Sequence, residues 1–301
     1  MDKFCLITNR SKDENFEVTN IVVNYIEKNN KEFVLLECQD GVCSGLYTDI
    51  NMIPKDTDCI IVLGGDGTIL QAAHDVLDSE LPILGINIGT LGFLADIELH
   101  NIYEALDSLF MDEYVLEHRM MLEGCITRNN EKLYLSSALN EIVIERSGFS
   151  RIISLNVYVN GKLANRYRGD GILVSTPTGS TGYNLSAGGP VVKPDNQVII
   201  LTPICAHSLS SRSIVLNASD EILVKIETSK KTQDEEVIAT YDGYESVLLH
   251  ADDIIEIKRS DKKTKFVKFK SNNFFETLRT KIGNSEGNNL WKIKGRTKLL
   301  K

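Results

Sequence analysis

The stretch Asp58-Cys-Ile-Ile-Val-Leu-Gly-Gly-Asp-Gly-Thr-Ile-Leu-Gln-Ala-Ala73 constrains this chain more than any other. Cys59 to Leu63 is a short apolar run that suits a buried strand. Gly64-Gly65-Asp66-Gly67-Thr68 interrupts it, and Ile69, Leu70, Ala73, Val76 and Leu77 then recur at helical spacing. A strand, a glycine turn and a helix N-terminus make one of the few local arrangements that hold phosphate. The free N–H groups and the positive end of the helix dipole face outward there, and glycine lets the backbone approach a ligand closely. The loop is not a Walker A loop, which ends in Gly-Lys-Ser/Thr. Nor is it the spaced Gly-x-Gly-x-x-Gly of a dinucleotide fold. It carries a carboxylate, Asp66, where phosphate should approach, and a bare carboxylate repels phosphate. Asp66 therefore binds Mg²⁺, takes a proton from an attacking hydroxyl, or simply caps the helix. The loop alone leaves these open.

The first half alternates strands and helices. Phe4 to Thr8 reads as a strand, Asn15 to Lys28 as a helix, Phe33 to Leu36 as a strand, and Leu81 to Asn87 as another. Residues 39 to 52 read as irregular, with breaks at Gly41 and Gly45. This alternation implies a mostly parallel sheet with right-handed crossovers. Its ligands bind beyond the carboxyl ends of the strands, where Gly64 to Thr68 falls. Asn87 to Leu94 supplies a second glycine loop, which a parallel sheet brings beside the first. Taken alone it reads as a turn before a helix at Asn101 to Leu109, with Phe93 in the core.

Near residue 112 the helical stripes give way to short strands. Met121 to Arg128 and Lys132 to Ser136 form one expected hairpin, around Asn129-Asn130. Ile152 to Val159 and Lys162 to Arg166 form another, around Asn160-Gly161. Further strands, ending with Ile254 to Lys258 and Phe266 to Lys270, complete an all-β domain of two packed sheets. The chain turns helical again at Asn273 to Lys281, and this helix is expected to pack back on the first domain. The basic tail from Gly283, with Trp291, carries no structural expectation. The expected fold is thus an N-terminal Rossmann-like α/β domain (residues 1–111), a C-terminal β-sandwich domain (112–271) and a closing helix and tail (272–301).

Two stretches of the β half look chemical. Asn140 and Glu141 interrupt an apolar strand running from Ala138 to Ile144. A polar pair there is hydrogen-bonded or faces a cleft; taken alone it reads as a strand edge or bulge. The second runs from Arg168 to Pro190 and is dense in Gly, Ser and Thr between apolar segments, which suits a polar close-approach wall better than a linker. Tyr183 in this wall can stack on an aromatic base.

Composition narrows the partners. The 301 residues are 42% hydrophobic and 25% charged, with a net charge of −9. That balance suits a globular protein and argues against charge-driven binding to nucleic acid or an anionic membrane. The six cysteines lack Cys-x-x-Cys spacing, so no zinc site is expected. The polar N-terminus does not read as a signal peptide, and no apolar run reaches membrane-spanning length, so a cytoplasmic location is expected.

Gly64-Gly-Asp-Gly-Thr68, Asn140-Glu141 and Gly169-Asp-Gly…Thr176-Pro-Thr-Gly-Ser-Thr-Gly-Tyr-Asn-Leu-Ser186, in this order and spacing, resemble the bacterial NAD kinases. The resemblance extends over nearly the whole chain, including Gly89-Thr-Leu-Gly-Phe93 and the Phe274 helix. The first motif is shared with diacylglycerol kinases, sphingosine kinases and phosphofructokinases; the long motif after Arg168 is more specific. The resemblance implies transfer of the γ-phosphoryl group of ATP, or of polyphosphate, to the 2′-hydroxyl of the adenosine ribose of NAD, giving NADP, with Mg²⁺ or another divalent cation. By that resemblance Asp66 is the proton acceptor, and Gly67 holds substrate by its backbone. Asn140 and Glu141 grip the adenosine end, and Asp170 binds the nicotinamide side. Phe93, Thr178, Thr181, Gly182, Tyr183, Asn184, Leu185 and Ser186 line the NAD site, and Arg151 and Arg168 contact substrate. It also implies a homodimer or homotetramer. One departure stands out: where relatives often carry Gln after Asp-Gly, this chain has Asp242-Gly243-Tyr244. Two rival readings are weaker. A lipid kinase would call for an apolar or basic membrane-facing surface, and a non-catalytic NAD(P)-binding regulator would not need Asp66.

Overall fold

Strand β1 (Lys3–Asn9) buries five residues in succession because the sheet is covered on both faces. Phe4 and Leu6 enter one core, Cys5 and Ile7 the other. The computed structural model describes residues 1–38, 48–89, 92–95, 97–148, 152–208, 211–227, 237–251, 253–269 and 274–282. Gly41, Gly45, Arg151, Trp291 and the tail after residue 282 lie outside these, as do Thr90 and Leu91 of the second glycine loop.

The first unit continues with α1 (Glu17–Lys28), β2 (Glu32–Cys38), β3 (Cys59–Gly64), α2 (Asp66–Asp75), β4 (Ile83–Asn87) and α3 (Ile102–Phe110). Its parallel strands lie in the order β2-β1-β3-β4. Ile69, Leu70 and Ala73 of α2 cover one face, while Val22 and Ile26 of α1 with Leu106 and Leu109 of α3 cover the other. This is the expected Rossmann-like domain. The chain leaves β1 toward β2 on one side and returns to β3 on the other, so the switch point lies between the carboxyl ends of β1 and β3.

The second unit comprises β5 (Val115–Arg128), β6 (Glu131–Ala138), β7 (Glu141–Arg146), β8 (Ile153–Val159), β9 (Lys162–Gly169), β10 (Gly171–Ser175), α4 (Tyr183–Ser186), β11 (Val198–Ile204), β12 (Ile214–Asn217), β13 (Ile222–Ile226), β14 (Val237–Tyr241), β15 (Glu245–Leu249) and β16 (Ile254–Lys268). Among the described residues the strands form sheets of ten and six. Between the sheets, Leu122, Leu155, Val224 and Ile255 meet Ile144, Ile172, Leu201 and Tyr241, giving the β-sandwich core. Asn129-Asn130 and Asn160-Gly161, all at positive φ, make the two expected hairpin turns.

The two units share a sheet. The sequence suggests two strands here, Ile254 to Lys258 and Phe266 to Lys270, but β16 is a single strand. It runs unbroken against β5, with the register shifting between Arg259 and Lys263. Its first part pairs with β13 in the sandwich, and its last part carries Phe266 against Ile83 of β4. A bulge lets one strand bend without losing its partner. Helix α5 (Phe274–Ile282) returns to the first unit, where Phe274 packs on Phe93 with ring centroids 6.1 Å apart. No helix among the described residues is long and apolar enough to cross a membrane.

Phe266 is 1% exposed and sits at the junction of the shared sheet. Phe266→Ala is expected to cost about 3–5 kcal/mol of stability, measured by chemical denaturation; a loss below about 1 kcal/mol contradicts a packed junction.

Candidate active site

β3 ends at Gly64, and Gly65, not Asp66, is the N-cap of α2. Asp66 is the first helical residue, and its carboxylate turns away from its own helix. Oδ2 accepts the N–H of Phe93 at 2.7 Å, and Oδ1 accepts those of Leu94 and Ala95 at 3.0 and 3.3 Å. The two glycine loops therefore lie side by side, and the second is more than a turn leading to a helix. Gly92 explains its own identity: a Cβ there would fall inside the Asp66 carboxylate. Lys281 of α5 lies over the Phe93 ring at 5.3 Å.

The loop after β1 completes this end of the cleft. Asn9 Nδ2 donates to Thr68 Oγ1 at 3.0 Å, and the backbone N–H groups of Lys12 and Asp13 both return to the Asn9 carbonyl at 3.1 Å. This folds Lys12 over the first loop, with Nζ 2.5 Å from where a Cβ on Gly65 would stand. Lys12 has no ion pair among the described residues. A cation at the positive end of a helix is unfavourable unless an anion joins them. Sequence reasoning missed Lys12. The signal was there: it lies three residues after β1, whose carboxyl end borders the switch point.

The opposite wall comes from the β-sandwich. The strand expected from Ala138 begins only at Glu141, because the preceding backbone is bound by a side chain. Asp242, 7% exposed, accepts the N–H groups of Leu139, Asn140 and Glu141 at 2.7, 2.8 and 3.0 Å. The start of the long motif is fastened here too. Thr176 donates its hydroxyl to the Leu139 carbonyl at 2.6 Å and its N–H to the Asn140 carbonyl at 2.8 Å. Gly179 lies so close to Asn140 that a Cβ would overlap its carbonyl.

Glu141 is 8% exposed, and its Oε2 has no hydrogen-bond partner among the described residues. It faces Gly182, where a Cβ would stand 3.7 Å from Oε2 and 3.9 Å from Asn140 Nδ2. Burial, and then the charge of Asp242, push the Glu141 carboxyl up to about 8. At neutral pH it is largely protonated and can donate as well as accept.

The remaining expected residues divide by exposure. Tyr183 is 39% exposed, with burial first and then the charges of Glu145, Cys205, Asp170 and Glu141 raising its hydroxyl pKa. Gly67, Gly182 and Ser186 are exposed, and Thr181 and Leu185 half-buried. Thr178 is buried, and its hydroxyl accepts from the buried Arg119 at 3.2 Å. Asn184 is fully buried, with its amide donating to the Ser180 and Pro190 carbonyls and accepting from Thr202. Asp170 is paired at 2.7 Å with Arg146, a residue not singled out in the sequence, and that bond holds its carboxyl below the usual range. Arg168 is exposed on β9. Among the described residues no group of three or more His, Cys, Asp or Glu side chains gathers as a metal cage.

Known proteins resemble this chain over most of its length. Residues 4–114 match the ATP-NAD kinase N-terminal domain, and residues 139–269 match the ATP-NAD kinase C-terminal domain. The NAD kinase of Lachnoclostridium phytofermentans is 50% identical over 285 residues, covering 94% of this chain and 99% of that protein. The NAD kinase of Thermoanaerobacter pseudethanolicus is 41% identical over 287 residues, covering 94% and 99%. A crystal structure of yeast NADH kinase complexed with NADH shares the fold with a TM-score of 0.79, at 24% identity over 97% of this chain and 90% of that one. An NAD kinase from Archaeoglobus fulgidus in complex with ATP gives a TM-score of 0.72, at 25% identity over 94% of this chain and 100% of that one.

The raised Glu141 pKa carries a sign for stability. In the unfolded chain the group titrates near its ordinary value of 4.5, while in the folded protein it does so at about 8. Between these values the folded state holds the extra proton, so stability falls as pH rises through the window. Glu141→Gln should therefore lose less Tm between pH 5 and pH 8 than wild type, and equal losses would contradict the buried, protonated carboxyl.

Proposed function

The chain belongs to the ATP-NAD kinase family and is an NAD⁺ kinase, and from that premise we propose how its cleft works. The γ-phosphoryl group of ATP passes to the 2′-hydroxyl of the adenosine ribose of NAD. The new bond joins the ribose oxygen to the γ-phosphorus, the bond from that phosphorus to the β-phosphate oxygen breaks, and ADP leaves. Asp66 takes the hydroxyl proton. The observation that carries this is the fixed Asp66 carboxylate. Three of its roughly four lone-pair positions are filled by backbone N–H groups. One position on Oδ2 is left for the hydroxyl, held in a defined direction.

Phosphoryl transfer asks mainly for positioning and for neutralisation of the transferring charge. The donor phosphates meet the N-terminus of α2, with Lys12 over Gly65 supplying positive charge. Those phosphates, with water, would hold Mg²⁺ or another divalent cation, which would supply further charge neutralisation. Recognition of phosphate alone would also admit inorganic polyphosphate, which an assay replacing ATP with polyphosphate tests. On the other wall Asn140 and Glu141 bind the adenosine end, the protonated Glu141 serving a ribose hydroxyl as donor or acceptor. Tyr183 packs against the dinucleotide, and Asp170, oriented by Arg146, takes the nicotinamide side.

Asp66→Asn should lower kcat for NADP formation by about 10²–10⁴-fold while NAD still binds; a near-wild-type rate would remove Asp66 as the base. Lys12→Ala should raise KM for ATP roughly tenfold, the equivalent of one charge-assisted hydrogen bond, with KM for NAD nearly unchanged. An unchanged KM for ATP would take Lys12 out of the donor site.

A further inference from the structure

The turn between β14 and β15 touches both walls of the cleft. Asp242, Gly243 and Tyr244 connect the strands, with φ of 50° and 76° at Asp242 and Gly243, and the turn closes with Tyr244 N–H on the Tyr241 carbonyl at 3.0 Å. A turn with both central residues at positive φ is a tight, well-defined hairpin end. On one side the Asp242 carboxylate gathers the N–H groups of residues 139–141, the wall that carries Asn140 and Glu141. On the other, Tyr244 leaves the sandwich. Its ring packs against the core beneath α2, and its hydroxyl donates to the Gly67 carbonyl at 2.7 Å. The next residue, Glu245, accepts the hydroxyls of Tyr134 and Ser136, and its Oε2 lies 3.9 Å from Nε2 of His74 on α2. Within four consecutive residues, Asp242, Tyr244 and Glu245 thus reach the adenosine-side wall, the phosphate loop and the body of the phosphate-loop helix.

We propose that Tyr244 is a positioning residue for phosphoryl transfer: through Gly67 it sets the phosphate loop and Asp66 at a fixed distance from the Asn140-Glu141 wall held by its neighbour Asp242. This rests on the kinase reading above and assigns Tyr244 a protein contact in place of a substrate contact. The reason such a link matters is geometric. The nucleophile is bound mainly by one unit and the donor by the other, and in-line transfer loses rate steeply when reacting groups are misplaced by about 1 Å. The shared strands β5 and β16 join the units at their sheet, whereas the turn joins them at the cleft itself.

Tyr244→Phe removes only the hydroxyl and leaves the ring in place. The expected result is a fall of about tenfold in kcat, with KM for NAD and for ATP each changed less than about twofold and Tm nearly unchanged. Unchanged kcat overturns the proposal. So does a raised KM for NAD at unchanged kcat, which would make Tyr244 a direct substrate contact. Amide hydrogen exchange gives a readout independent of turnover. Residues 67–71 should exchange faster in Tyr244→Phe than in wild type, while β1 keeps its protection. Equal exchange overturns the link. If wild type makes no NADP, the kinase reading fails, and exchange still decides whether Tyr244 anchors the loop.

Discussion

The bonds from Phe93, Leu94 and Ala95 to the Asp66 carboxylate are the interaction on which the cleft depends. A carboxylate in a glycine loop of the kind that suits phosphate is electrostatically out of place unless something holds it. Here backbone donors from the adjacent strand's loop hold it, and charge-assisted bonds of this kind are the stronger class. The same bonds tie the loop after β4 to the loop after β3 and account for the absence of a side chain at Gly92. Phe93, positioned by its own N–H, then offers its ring to Phe274 of α5. One acidic side chain thus organises two loops and the docking place of the closing helix.

The opposite wall repeats the device. Asp242 also accepts three consecutive backbone N–H groups, in this case at the entry to β7. Local strand pairing is given up at residues 139–140 in exchange, and the Asn140 and Glu141 side chains lie beside Gly182 of the long motif. The cost is two acidic groups close together out of water, and Glu141 answers it by keeping its proton at neutral pH. A neutral acid beside an amide suits recognition of hydroxyl groups, whereas two buried charges would repel each other.

Much of the fold was legible because its signals are local. The apolar runs at Phe4 and Cys59, the helical stripe after Thr68 and the turns at Asn129-Asn130 and Asn160-Gly161 each declare themselves within a few residues. The motifs also carried a family resemblance that the comparisons support. What stayed hidden depends on partners far apart in sequence. Asp66 meets residues 93–95, Lys12 meets Gly65, and Tyr244 meets Gly67, and no periodicity connects them. β16 looks like two strands in sequence because the polar residues around its register shift, between Arg259 and Lys263, hide its continuity. Asp242-Gly243-Tyr244 was visible only as a departure from relatives; its reach to both walls required the hairpin in three dimensions.

We propose that this cleft delivers a phosphoryl group to one particular hydroxyl. The direct measurement is ¹H–³¹P NMR of the product formed by the wild-type protein from NAD, ATP and Mg²⁺. Transfer to the 2′-hydroxyl gives a new phosphorus coupled to the 2′ proton of the adenosine ribose, formed together with ADP. A phosphate on any other oxygen, or no transfer by well-folded protein, would contradict it.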